Sequence, residues 1–238
     1  MINYLTALPA DPLFKLFQEY QQDQNPQKMN LGIGVFVTEA GDPYVMPSIQ
    51  RAASATPNTN YNYTPLGGDY LFLQQTVNLL FGDSLDQEQI AKQATCGGTH
   101  ACALLSSLAI RAGYTNILIP EPTWINHRNI FSNFKQLSFQ HLSVDGTVNI
   151  AEYRRAIQAV IEPTILLLHG GSTHNPTGIN FTLEQIRSLI EDIKAKPILV
   201  FIDFAYLGLG NGINEDSAFT RLLFQELENV AFGLSFSI

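Results

Sequence analysis

The 238-residue sequence predicts an α/β protein with a mostly parallel sheet sandwiched by helices. Two observations carry that expectation. Thr164–Leu168 and Ile198–Ile202 are continuous apolar runs, the pattern of strands buried on both faces. From Asp69 onward, helical and strand patterns alternate, which is the signature of strands joined by crossover helices.

Taken in order, Met1–Ala10 reads as an extended arm, and Asp11-Pro12 supplies an N-cap and a first-turn proline. Leu13, Leu16, Phe17 and Tyr20 follow at helical spacing, then Leu31–Val35 as a short apolar strand or turn with two glycines. Asn58–Gly68 is rich in Asn, Thr, Pro and Gly and is predicted as loop, carrying Tyr61 and Tyr63. A helix over Leu71–Phe81 precedes a second one opened by the capping-box spacing Ser84-Leu85-Asp86-Gln87. A strand ending at Cys96 leads through Gly97-Gly98-Thr99 into the helix Ala101–Ala112. Strand Ile117–Pro120, helix Trp124–Ser132, strand Leu137–Leu142, an Asp145-Gly146 turn, helix Ile150–Ile161 and strand Thr164–Leu168 come next. Thr182–Gln185 caps a helix running to Ala195; strand Ile198–Asp203, helix Ala218–Leu227 and strand Val230–Phe236 complete the pattern. There is no internal repeat and no low-complexity tract.

The totals narrow the function classes. With 45% hydrophobic residues the chain can bury a full core. A net charge of −8 without a basic stripe makes nucleic acid and anionic membranes poor partners. Cys96 and Cys102 lie outside any CxxC pattern, so neither a disulfide framework nor a structural zinc site is expected, and a reducing compartment fits. Without a secretory pattern at Met1–Tyr4 or an apolar run of spanning length, the sequence reads as cytoplasmic.

The chemistry concentrates at predicted strand ends, where ligands collect in sheets of this kind. Asp203 ends a buried strand, and a carboxylate there calls for a cationic partner such as a protonated ring nitrogen. Tyr206, three residues on, can reach an oxygen substituent of the same ring, and Asn175 can donate its amide to that oxygen. Gly97-Gly98-Thr99, opening a helix, offers free N–H groups and a hydroxyl to a phosphate, and Ser235 a further hydroxyl. Each has an ordinary reading taken alone. Asp203 is then a loop carboxylate, Gly-Gly-Thr a strand-to-helix turn and Asn175–Gly178 a tight turn, while Trp124 is core and His127 a satisfied polar group. Gly32-Ile33-Gly34 lacks the third glycine of a dinucleotide fingerprint. Their joint order is what the ordinary readings explain badly.

That order resembles the class I aspartate/aromatic amino-acid aminotransferases, which depend on pyridoxal 5'-phosphate and have the type I transferase fold. The resemblance rests on Pro9–Pro12, Asn30–Val35, Gly97–Thr99, Pro122–His127, His174–Gly178, Asp203–Tyr206 and Ser235–Ser237. It runs the length of the chain and accounts for somewhat more than half of a family member. It implies an arm at 1–12, the N-terminal part of a small domain at 13–45 and a cofactor-binding domain at 46–238. By the same resemblance Gly97, Gly98, Thr99 and Ser235 form the phosphate cup, and Trp124 packs on the ring and the substrate. Asn175 and Tyr206 bind the phenolic oxygen, Asn175 lying beside the substrate, and Asp203 binds the ring nitrogen. His127 orients Asp203, Gly34 contacts the substrate carboxylate, and Tyr63 reaches the cofactor of a partner subunit in a homodimer. The activity implied is transfer of an amino group from an L-amino acid to a 2-oxo acid such as 2-oxoglutarate.

The sequence departs from that pattern in places. Ile238 stands where the family has its Schiff-base lysine, so no catalytic residue is assigned, and the cofactor is expected to bind non-covalently at best. Lys194 and Lys196 precede the Asp203 strand and cannot take its place. The substrate-binding arginines, the strand after the lysine and the rest of the small domain lie beyond Ile238 in the family. The expectation is therefore a truncated, inactive chain with unpaired strand edges, poorly soluble or partly folded. His100 is expected to crowd the phosphate turn, and one extra residue in Gly170–Thr173 puts His169 in doubt as a site residue. Two other readings stand beside transamination: a non-catalytic fragment that binds the cofactor weakly, and another enzyme of the same fold such as a lyase.

Overall fold

The structure, a computed structural model, describes residues 12–30, 32, 37–56, 62–82, 90–170 and 173–236. The arm at 1–11, Gly34, the Ser84–Gln87 capping box and Ile238 lie outside the described residues. Described residues up to Thr56 belong to one compact unit and those from Asn62 onward to a second.

The first unit holds helices α1 (Pro12–Gln22) and α2 (Pro47–Ala55) and an antiparallel bridge between Val37 and Pro43. Lys28 ties down the chain after α1: its ammonium donates to the carbonyls of Tyr20 and Asp23, each at 2.8 Å, and lies 4.6 Å from the Tyr20 ring. The sequence reading missed α2. Its signal is Pro47 in the first helical turn, where a missing N–H costs nothing.

The second unit is a five-stranded, all-parallel sheet of order β2-β1-β3-β4-β5. The strands are β1 (Asn116–Glu121), β2 (Lys135–Gln140), β3 (Thr164–His169), β4 (Ile198–Phe204) and β5 (Val230–Leu234). Helices α3 (Tyr70–Phe81), α4 (Gly98–Arg111), α5 (Asn126–Ile130), α6 (Ile150–Gln158), α7 (Leu183–Lys194) and α8 (Ile213–Glu226) surround and connect them. Alternation along the strands divides the core in two. Leu118, Leu166, Val200 and Ile202 pack with Tyr153, Ile157, Ile190 and Leu223 of α6, α7 and α8. Ile117, Ile119, Ile165, Leu167 and Phe201 face the other way, onto Cys102, Leu105 and Ala109 of α4 and onto Phe131. Burying both faces explains why these strands read as unbroken apolar runs. Fully burying one such aliphatic side chain stabilises the fold by about 1.5–3 kcal/mol.

Helix ends follow local chemistry. Asp69 caps α3 through Phe72 N–H at 2.8 Å. Thr182 and Gln185 form the reciprocal capping box of α7. Three elements differ from the sequence expectation. Helix α8 begins at Ile213 rather than Ala218, because Gly212, at φ 106°, serves as N-cap and the Asp216 carboxylate gathers the preceding loop. Helix α5 is short because the chain turns inward after Ile130 to bury Phe131 and Phe134. Residues 91–96 form no ladder: Ala94 N–H and the Gln93 side chain bond to the Gly67 and Leu66 carbonyls of the preceding turn instead. A groove of ≈ 840 Å³ runs along β5, lined in part by Phe72, Leu105, Leu108, Phe232 and Leu234. Among the described residues, no helix is long and apolar enough to cross a membrane.

Candidate active site

Parallel pairing brings the carboxyl ends of the strands together. His169 of β3 is in register with Asp203 of β4, and Asp203 with Gly233 of β5. The Asp203 side chain is 10% exposed, and its partner is His127, fully buried, whose Nε2–H donates to Oδ2 at 3.0 Å. Among the described residues no lysine or arginine pairs with this carboxylate.

Behind His127 the hydrogen bonds continue. Thr123 Oγ1 lies 2.9 Å from His127 Nδ1 and 3.0 Å from His169 Nε2. With His127 Nε2 donating to the acceptor-only carboxylate, neutral His127 has a bare Nδ1. Thr123 then donates to it and accepts from His169 Nε2–H. Trp124 meets the His127 ring edge-on at 5.2 Å and is half-buried.

A second histidine layer adjoins the first. His169 lies 4.1 Å from His174, and His174 stacks flat on His141 at 3.7 Å and 6°. His141 is fixed at both nitrogens, by Tyr153 OH at 2.9 Å and by the Ile179 carbonyl at 3.0 Å. Thr177 Oγ1 is 3.0 Å from His174 Nδ1, while His174 Nε2 is buried without a partner. Burial, followed by the neighbouring imidazoles, pushes His169 well below the ordinary histidine value and His174 down to about 3. Burial also lowers His141, opposed by its bond to the Ile179 carbonyl. The layer is a stack of neutral imidazoles.

Gly97 is the N-cap of α4 at φ 85°, a conformation that excludes most side chains. A Cβ on Gly98 would lie 3.4 Å from Ser235 Cβ, so the first turn of α4 packs against the turn just past the end of β5. Ser235 N–H donates to Phe204 O at 3.0 Å, which fixes that turn to β4. Thr99 is exposed in the first turn of α4, and Asn175 and Tyr206 are half-buried in the loops after β3 and β4. Asn175 lies in a turn closed by Gly178 N–H on His174 O at 2.7 Å. Tyr63 is 92% exposed. Gly34 lies outside the described residues.

Two expectations are corrected. His169 is part of the network despite the extra residue in Gly170–Thr173, because strand register and not loop length sets its place. His100 does not crowd the phosphate turn; its Nδ1 accepts Cys96 N–H at 3.2 Å and braces it. The sequence reading had no signal for Thr123 as a bridge or for His141 as a stacking partner, and it set Cys102 aside both as a disulfide partner and as a zinc ligand. The lysines are elsewhere, as expected. Lys194 pairs with Glu191 and Glu226, and Lys196 donates to the carbonyls of Gln158 and Val160, beside the amino end of β4.

The site is thus a buried carboxylate on a histidine at the carboxyl ends of the strands of a parallel α/β sheet. The chain belongs to the family described as Aminotransferase class I and II, whose profile matches residues 26–237. It is 32% identical over 241 residues to a mitochondrial aspartate aminotransferase of Dictyostelium discoideum, covering 96% of this chain and 56% of that protein. It is 32% identical over 247 residues to an aromatic-amino-acid aminotransferase of Paracoccus denitrificans, covering 100% of this chain and 61% of that protein. A solved aromatic-amino-acid aminotransferase from Burkholderia pseudomallei, covalently bound to pyridoxal phosphate, superposes with a TM-score of 0.91 at 28% identity; the match covers 100% of this chain and 61% of that one. The chain thus spans between 56% and 61% of the length of these relatives.

Proposed function

We propose that these residues form the cofactor-binding part of an aspartate/aromatic amino-acid aminotransferase, with pyridoxal 5'-phosphate as cofactor and an L-amino acid and a 2-oxo acid as substrates. The observation that supports this most is the Asp203–His127 pair at the end of β4, a buried carboxylate aimed where a ring nitrogen would lie. The residues fit the group on a second count: Gly98, at the N-terminus of α4, lies against Ser235, so free helix N–H groups and a hydroxyl stand together where a phosphate would be held. That the relatives' names are those of aminotransferases favours transamination over a lyase.

When bound, the cofactor supplies an electron-accepting pyridine ring. Asp203 holds the proton on the ring nitrogen, and His127, fixed by Thr123, holds Asp203 in place. Gly97 and Gly98 N–H groups, with the Thr99 and Ser235 hydroxyls, take the phosphate. Asn175 and Tyr206 bind the phenolic oxygen, Trp124 covers one ring face, and Gly34 takes the substrate carboxylate. Tyr63 serves the site of a partner subunit in a homodimer, and its exposure suits that role. Ile238, at the position that resembles the covalent lysine, carries no amine, so no imine to the cofactor is expected from that side chain. A cytoplasmic setting is supported by two free cysteines.

Titration with pyridoxal phosphate followed by Trp124 fluorescence tests the reading. Saturable quenching is expected, weakened at least tenfold in Asp203→Ala, with no covalent adduct after borohydride reduction. Quenching that is unchanged in the variant, or an adduct on Lys194 or Lys196, would overturn it.

A further inference from the structure

We propose that Cys102, His127 and Asp203 also form a three-ligand site for a thiophilic divalent cation, zinc(II) or cobalt(II). One ligand atom from each lies within 4.8 Å of the other two. The three come from α4, α5 and β4, and the same packing that forms the second core face brings them together. Cys102 and His127 are fully buried and Asp203 nearly so, which leaves the carboxylate side as the route of entry.

The donor set is selective. A thiolate with an imidazole suits zinc and cobalt and disfavours magnesium and calcium, which take oxygen ligands. Thiolate and carboxylate together balance the two positive charges. Zinc bonds of about 2.3 Å to sulfur and 2.0–2.2 Å to nitrogen and oxygen put tetrahedral ligand atoms roughly 3.3–3.7 Å apart, so the sulfur must move in by up to about 1.3 Å while the His127 Nε2–Asp203 Oδ2 pair, at 3.0 Å, opens slightly.

The hydrogen bonds behind His127 allow the change of role. In the metal-free pocket His127 Nε2–H donates to Asp203. Reversing the donor sense of the chain puts the proton on Nδ1, donating to Thr123 Oγ1, while the Thr123 hydroxyl donates to His169 Nε2. Nε2 is then bare and can ligate, held by the outer hydrogen bond that metal-binding histidines ordinarily have. On binding, the Cys102 thiol loses its proton to solvent and the sulfur–metal bond forms, with no oxidant or reductant involved. Because Asp203 would serve both, metal and a cationic ring exclude each other; the metal site itself does not depend on the cofactor reading.

The test uses the full chain with Cys96→Ser, which leaves Cys102 as its one thiol. Cobalt(II) titration is expected to give one equivalent of near-ultraviolet thiolate-to-metal absorption with intense visible bands. Adding Cys102→Ser should abolish the near-ultraviolet band with far-ultraviolet circular dichroism unchanged, and Asp203→Asn should weaken binding at least tenfold. Absence of the band, or its survival without Cys102, overturns the site. Should the Cys102 variant fail to fold, X-ray absorption on the zinc-loaded Cys96→Ser chain decides. One sulfur at about 2.3 Å supports the site, and a shell of nitrogen and oxygen alone overturns it.

Discussion

Acid should unfold this protein through its histidine stack, and His174 allows the effect to be sized. Its pKa in the folded chain is about 3, lowered by burial first and then by His141 and His127. In the unfolded chain it returns to about 6.5. Between those values the unfolded state binds a proton that the folded state refuses, so stability rises with pH across the window and is lost as pH falls below 6.5. At pH 5.0 the deficit spans about one and a half pH units at 1.36 kcal/mol each, or about 2 kcal/mol from His174 alone. His169 and His141 are displaced in the same direction and add to it. Among the described residues His174 meets His141, His169 and Thr177, His141 meets Tyr153 and the Ile179 carbonyl, and Asp203, in register with His169, is bonded to His127. The assay is urea unfolding at pH 7.5 and pH 5.0, followed by Trp124 fluorescence and circular dichroism, for the natural chain and for His174→Asn. Asparagine can still accept from Thr177 but does not titrate. The natural chain should lose about 2 kcal/mol more than the variant between the two pH values. Equal losses would refute the buried neutral imidazole; surface carboxylates contribute alike to both chains and cancel.

Three further outcomes follow from packing and hydrogen bonding. Asp216→Ala leaves the N–H groups of Gly208, Gly210 and Asn211, now bonded at 2.8, 3.1 and 2.9 Å, without their acceptor. It should cost at least about 3 kcal/mol in denaturant unfolding. Thr182→Ala removes half of the α7 capping box and should cost about 1 kcal/mol in thermal unfolding. Leu166→Ala opens a cavity in the centre of β3, where the residue is 0% exposed, and should cost about 2–5 kcal/mol.

Fold class, most of the strand sequence and the placing of Asp203 at the end of a buried strand were legible in the sequence. Each rests on local chemistry: apolar runs mark doubly buried strands, and Asp203 at the end of one is conspicuous because isolated buried charge is costly. The capping of α7 was legible for the same reason, since Thr182 and Gln185 bond within one helical turn. Other features had no local signal. The segment ending at Cys96 is expected as a strand, yet Gln93 and Ala94 bond to the Leu66–Gly67 turn, a choice made across 27 residues of chain. His169 was doubted on loop length, which carries no information about register; pairing with Asp203 put it in the network. Thr123 between two histidines, His141 flat against His174, and Cys102 beside Asp203 join residues from different elements. Periodicity reports which face a side chain occupies along its own strand or helix. Which side chain it meets there is set by sheet order and helix packing, so these contacts exist only once the chain has closed on itself.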